Sequence, residues 1–130
     1  MDKYISSLLD FLDNSPCNFL AVASIKKTLV ADGFTELNLG DKWQLNSGGK
    51  YFTTKNDSAI FAFTIGDTPI AETGVKIIAA HSDSPGFRIK PHAVINTEGG
   101  VMKLNTEVYG GPILYTWFDR PLSVAGRVIL

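Results

Sequence analysis

The sequence predicts a mixed α/β chain, α+β within its 130 residues, with two helices first and short strands after them. Three observations carry this. Apolar residues recur at helical spacing through the opening third. Asp32-Gly33 then closes that region with a glycine suited to the left-handed position after a helix. Beyond it, short apolar or β-branched runs alternate with turn-forming Gly, Asn and Asp, the texture of strands joined by hairpins.

Tyr4, Ile5, Leu8, Leu9 and Leu12 form one helical stripe, with Asp2, Lys3, Ser6, Ser7 and Asp13 between them. Asn14-Ser15-Pro16 breaks it. A second helix is expected from about Asn18 to Ala31, its apolar side made by Phe19, Val22, Ala23, Leu29, Val30 and the stem of Lys26. Gly48-Gly49 signals a turn, Lys50 to Thr54 a strand, Lys55 to Ser58 a hairpin turn, and Ala59 to Ile65 a second strand apolar on both faces. After a loop at Gly66 to Pro69, Val75 to Ala80 is nearly all apolar, which predicts a third strand, central in its sheet. Past His81 the pattern loosens. Phe87, Ile89, Pro91, Ala93 and Ile95 share a parity, Thr97 to Gly100 turns the chain, and Val101 to Val108 reads as another strand. Gly110-Gly111-Pro112 interrupts it, and Gly126 to Leu130 reads as the start of a further strand. That last pattern stops without a turn or polar cap, so the sequence is expected to be a piece of a longer chain.

Composition narrows the partners. Twelve basic and 13 acidic residues give a net charge of −1, and no basic stripe is interleaved with aromatics. Nucleic acid is therefore not an expected partner, and nothing favours a membrane surface. No apolar stretch approaches the roughly 20 residues that cross a bilayer, and Met1 to Ile5 does not open a secretory signal. The single Cys17 cannot form an internal disulfide, in keeping with a reducing, cytoplasmic setting. It reads as a small, partly buried residue where the second helix starts.

The stretch that carries chemistry runs from Ala79 to Pro91. An apolar run delivers His81 at its C-terminal end, where ligands gather in α/β sheets. In extended backbone His81 and Asp83 share a face, because side chains two apart align. A metal-ligating imidazole commonly gives its other ring N–H to a carboxylate, which fixes the tautomer. Ser84-Pro85-Gly86 then bends the chain away and leaves room for a metal and a substrate. His-x-Asp alone is a weak signal, and a hydrogen-bonded structural histidine competes with it. His92 has no acidic residue two places on and reads as a surface or turn residue.

The wider context resembles a family. Ala80 to Pro91, reading Ala-His-Ser-Asp-Ser-Pro-Gly-Phe-Arg-Ile-Lys-Pro, is similar to the first metal-site motif of the M18 (aspartyl aminopeptidase-like) metalloaminopeptidases. Leu9 to Pro16, Ala31 to Leu37, Trp43 with Gly48 to Phe52, Tyr109 to Pro112 and Thr116 to Leu122 extend the resemblance over essentially the whole chain, in order.

The resemblance implies a zinc-peptidase catalytic domain interrupted by a β-rich dimerisation domain, so that 1–87 would open the first and 88–130 the second. It implies an active site of two divalent metals, usually zinc, with His81 as a metal ligand and Asp83 as the carboxylate that orients it. The family's other ligands and general base fall beyond position 130. It further implies a peptide substrate losing its N-terminal, often acidic, residue, and a homo-oligomer. Arg88 and Lys90 are candidates for binding an acidic side chain, although exposed charges on a strand explain them as well. One imidazole does not make a catalytic zinc site, so the chain alone is expected to bind metal weakly, to lack peptidase activity, and to self-associate through unpaired strand edges. The competing reading is a short, non-catalytic paralogue that binds or regulates a full-length partner.

Overall fold

The computed structural model describes residues 2–130 and divides into two compact units: the chain up to Asp83 together with Ala125–Leu130, and Ser84–Val124. The expected division at residue 87 and these units differ in two places, at 84–87 and at the returning 125–130 segment.

The first unit opens with α1 (Lys3–Asp13), capped by the Asp2 carboxylate, which accepts the Tyr4 N–H at 3.0 Å. Its apolar stripe is present but open, since α1 buries no side chain. Helix α2 (Asn18–Ala31) buries Ala21 and Val22. It ends as the sequence predicts. Gly33 adopts φ +80°, and the N–H groups of Gly33 and Phe34 bond the Val30 and Leu29 carbonyls at 3.1 and 2.9 Å.

The sheet has the order β1-β2-β3, with β1 (Thr35–Glu36) parallel to β2 (Lys50–Lys55), and β2 antiparallel to β3 (Ala59–Thr64). The β2–β3 turn is a tight one. Asn56 and Asp57 hold φ +52° and +55°, and the Ser58 N–H bonds the Lys55 carbonyl at 3.1 Å. Asn and Asp tolerate this left-handed geometry better than other side-chain-bearing residues, and its twist matches that of the strands. The core lies at β2 and α2: Phe52 is fully buried, with Tyr51, Ala21 and Val22 nearly so. Tyr51 points away from Phe52 by strand alternation and joins an aromatic cluster in which Trp43, Tyr51 and Phe61 lie 6.0, 5.7 and 5.3 Å from Phe63.

Two expected strands are not formed. Val75 to Ala80 pairs with no strand among the described residues, and Ile78 is 100% exposed. Gly126 to Leu130 is likewise without a ladder. An apolar run expresses a demand for burial, but a strand also needs a neighbouring backbone to bond, and neither segment has one here. Three elements are not anticipated: the two-residue β1, the short α3 (Ile70–Thr73) and a 3₁₀ turn at Leu114–Trp117.

The second unit is a ribbon of β4 (Gly86–Asn96) and β5 (Met102–Tyr109), antiparallel. Its register slips between Ile89, opposite Thr106, and Val94, opposite Leu104. The single parity expected from Phe87 to Ile95 is therefore broken. Pro91 sits within the slip, where its missing N–H costs no ladder bond. Trp117 packs edge-on against Phe87, with centroids 5.2 Å apart. At Gly86 a Cβ would lie 3.3 Å from the Trp117 ring, so glycine allows that approach.

Candidate metal-binding loop

His81 and Asp83 fall in the first unit, on a loop rather than at a strand end. The backbone from 75 to 80 has no ladder, and a bend at Ser82 follows His81. The alignment of side chains two apart survives without the sheet: His81 Nδ1 lies 3.1 Å from Asp83 Oδ1. Toward an ionised carboxylate Nδ1 is the donor, and in the neutral tautomer that places its hydrogen there Nε2 keeps a lone pair. The His81 side chain is 93% exposed and that of Asp83 33%. Ser82, between them, donates its hydroxyl to the Ser58 carbonyl at 2.9 Å, which ties the loop to the β2–β3 turn.

This donor set fits a divalent metal as one corner of a site. An outward imidazole nitrogen, with the inner one held by a carboxylate, is the arrangement metal-ligating histidines use. The described residues supply no group of three or more His, Cys, Asp or Glu that could close around an ion. Two grooves of roughly 490 and 470 Å³ lie along β2 and its neighbours, and neither is lined by His81 or Asp83.

The other candidates are placed more simply. His92 lies exposed on β4, in the register slip. Lys90 is exposed in the same stretch, and the Arg88 guanidinium stacks over the Tyr109 ring at 5.0 Å. Cys17 is half-buried at the start of α2, as expected. Sequence reasoning missed the Ser82–Ser58 bond and the contacts of Arg127. Arg127 donates to the Asn56 carbonyl at 3.0 Å, lies 3.5 Å from the Asp57 carboxylate, and stacks on Phe19 at 4.3 Å. These partners are 24 and 71 residues apart in the chain, and no local pattern signals such a pairing.

Comparison with known proteins decides the lineage. Residues 11–130 match the family described as aminopeptidase I zinc metalloprotease (M18). The chain belongs to the M18 family. It is 57% identical over 128 residues to a probable M18 family aminopeptidase 2 of Clostridium novyi, covering 98% of this chain and 30% of that protein. Among solved structures, mApe1 of Chaetomium thermophilum superposes with a TM-score of 0.81 at 39% identity, over 88% of this chain and 26% of its own. The mApe1 dodecamer of S. cerevisiae superposes with a TM-score of 0.81 at 28% identity, over 91% of this chain and 28% of its own. The M18 chain thus spans less than a third of the length of these relatives. Its mixed helix-and-sheet fold is the M18 one, and the family is one of zinc-dependent hydrolases. No described helix is long and apolar enough to cross a membrane.

Proposed function

We propose that this chain is part of a zinc-dependent aminopeptidase in which His81 ligates a catalytic metal through Nε2 and Asp83 orients it. The observation that carries this reading is the 3.1 Å Nδ1–Oδ1 contact beside an imidazole that is otherwise open to solvent. Asp83 accepts the Nδ1 hydrogen, holds the tautomer, and restrains ring rotation, so that Nε2 keeps one direction. Bound there, zinc supplies Lewis acidity toward a peptide carbonyl and eases deprotonation of water.

The remaining ligands and the general base would come from chain outside these 130 residues, in a site of two metals. Residues 1–87 would open the catalytic domain and 88–130 the inserted dimerisation domain. The reaction is removal of the N-terminal residue of a peptide, with acidic residues favoured, by a cytoplasmic homo-oligomer. The S. cerevisiae relative solved as a dodecamer supports the last point. The 130-residue chain alone is inactive on this reading, because three protein ligands and an open position make a catalytic zinc site.

The test is made in the full-length protein. His81→Ala should remove one equivalent of tightly held zinc and cost several kcal/mol of transition-state stabilisation, about 1,000-fold in kcat. Zinc content and chromogenic substrates bearing N-terminal Asp or Leu read this. Full metal content and turnover in the variant, or robust turnover by the 130-residue chain, would overturn the reading.

A further inference from the structure

His81 lies on an unusual support. The backbone before it has no ladder, and its own ring is almost wholly exposed. Neither a ladder in residues 75–80 nor packing around the His81 ring holds the imidazole in place. A hydrogen bond from the residue between His81 and Asp83 reaches a fixed point. The Ser82 hydroxyl donates to the Ser58 carbonyl at 2.9 Å, in a half-buried setting across 24 residues of chain. Its acceptor is well anchored. Ser58 closes the β2–β3 turn, whose two central residues sit in the left-handed region, and β2 carries the fully buried Phe52. The same turn is held again by Arg127, through the Asn56 carbonyl and the Phe19 ring.

We propose that Ser82 is a positioning residue for the metal pair: its hydroxyl fastens the His81–Asp83 loop to the β2–β3 turn and so sets the place and direction of the ligating nitrogen. The idea rests on the metal-ligand reading of His81. Ser82 acts through the loop and touches neither metal nor substrate. The hydroxyl, rather than side-chain volume, carries the effect, because the bond is to a main-chain carbonyl that no side-chain change removes.

The experiment compares Ser82→Val with Ser82→Thr in the full-length protein, two side chains of nearly equal shape of which only threonine keeps a hydroxyl. His81→Ala serves as the reference. Zinc affinity is measured by competition with a chelator, the absorption spectrum of the cobalt(II)-substituted protein is recorded, and thermal melting is followed in the metal-free form. Ser82→Val should weaken zinc about tenfold, the order seen when groups supporting a ligand are removed, and should alter the cobalt spectrum. Ser82→Thr should restore both. A purely structural role would lower the melting temperature and leave the cobalt spectrum of the folded protein unchanged. Wild-type affinity and spectrum in Ser82→Val, with zinc lost in His81→Ala, sinks this inference and leaves the metal reading intact. Equal losses in the valine and threonine variants also sink it. Zinc retained in His81→Ala overturns the metal reading and this inference together.

Discussion

Two stretches of the first unit read alike in sequence and end up differently. Lys50–Thr64 and Val75–Ala80 are both rich in apolar and β-branched residues, and both suggest strands. The first becomes a hairpin because its partner strand is four residues away and the turn between them can adopt positive φ at Asn56 and Asp57. The second has no partner strand among the described residues and forms no regular element, with Ile78 fully exposed. Local pattern states how much burial a segment demands. Whether the demand becomes a strand depends on what backbone lies alongside. The His81–Asp83 pair, proposed to hold a metal, follows the less supported stretch, and side-chain bonds rather than a ladder are found there.

The largest effect is expected where the hairpin loses its buried support. Phe52→Ala empties a site with no exposure in the centre of β2. It should destabilise the first unit by about 3–5 kcal/mol, the range for buried aromatic truncations, as read by urea titration of the 130-residue chain. Ile78→Ala, in the unpaired stretch, should leave the same titration unmoved. If the two variants were equally destabilising, the 75–80 segment would be as well packed as β2 and the contrast would fail.

A smaller effect is expected at the turn that makes the hairpin possible. Asn56→Val puts a β-branched side chain where φ is +52°. That geometry costs about 1–2 kcal/mol for residues that do not tolerate it. The same titration should show the loss, and Asn56→Gly should recover it, because glycine has no Cβ to clash. A valine variant as stable as the parent would mean that the turn relaxes freely and is no anchor for Ser82.

The balance between what was legible and what was not follows from the same physics. Both helices, the Gly33 stop, the β2–β3 hairpin and the β4 and β5 strands are readable, because each is signalled by local periodicity and by turn residues next to it in sequence. The His81–Asp83 contact was readable for the same reason, since it needs only extended geometry across two residues. The parallel pairing of Thr35 with Tyr51 was not, and neither was the register slip after Ile89. Each depends on where a second segment happens to lie. Ser82 and Arg127 belong to this group too. A serine between a histidine and an aspartate looks like a spacer until its hydroxyl is seen on the Ser58 carbonyl. Arg127 looks like a surface charge until its guanidinium is seen on the Phe19 ring.

Arg127 gives the finest test of how far support spreads from the turn. Its guanidinium makes one hydrogen bond to a main-chain carbonyl and one stacking contact, and its side chain is 39% exposed. Together these are worth about 1 kcal/mol at such exposure, and the nearby Asp57 carboxylate adds little because it faces solvent. Arg127→Ala should therefore lower stability by about that amount, and Arg127→Lys should recover little, because an ammonium does not reproduce the planar stack. Its effect on zinc affinity in the full-length protein should be smaller than that of Ser82→Val. The turn geometry is already held by Asn56 and Asp57, so the Ser58 carbonyl moves little when Arg127 is lost. A Ser82→Val, Arg127→Ala double-mutant cycle separates the two roles. A coupling near zero places Arg127 with the fold alone, whereas a coupling of about 0.5 kcal/mol or more makes the turn a shared support through which both residues act on His81.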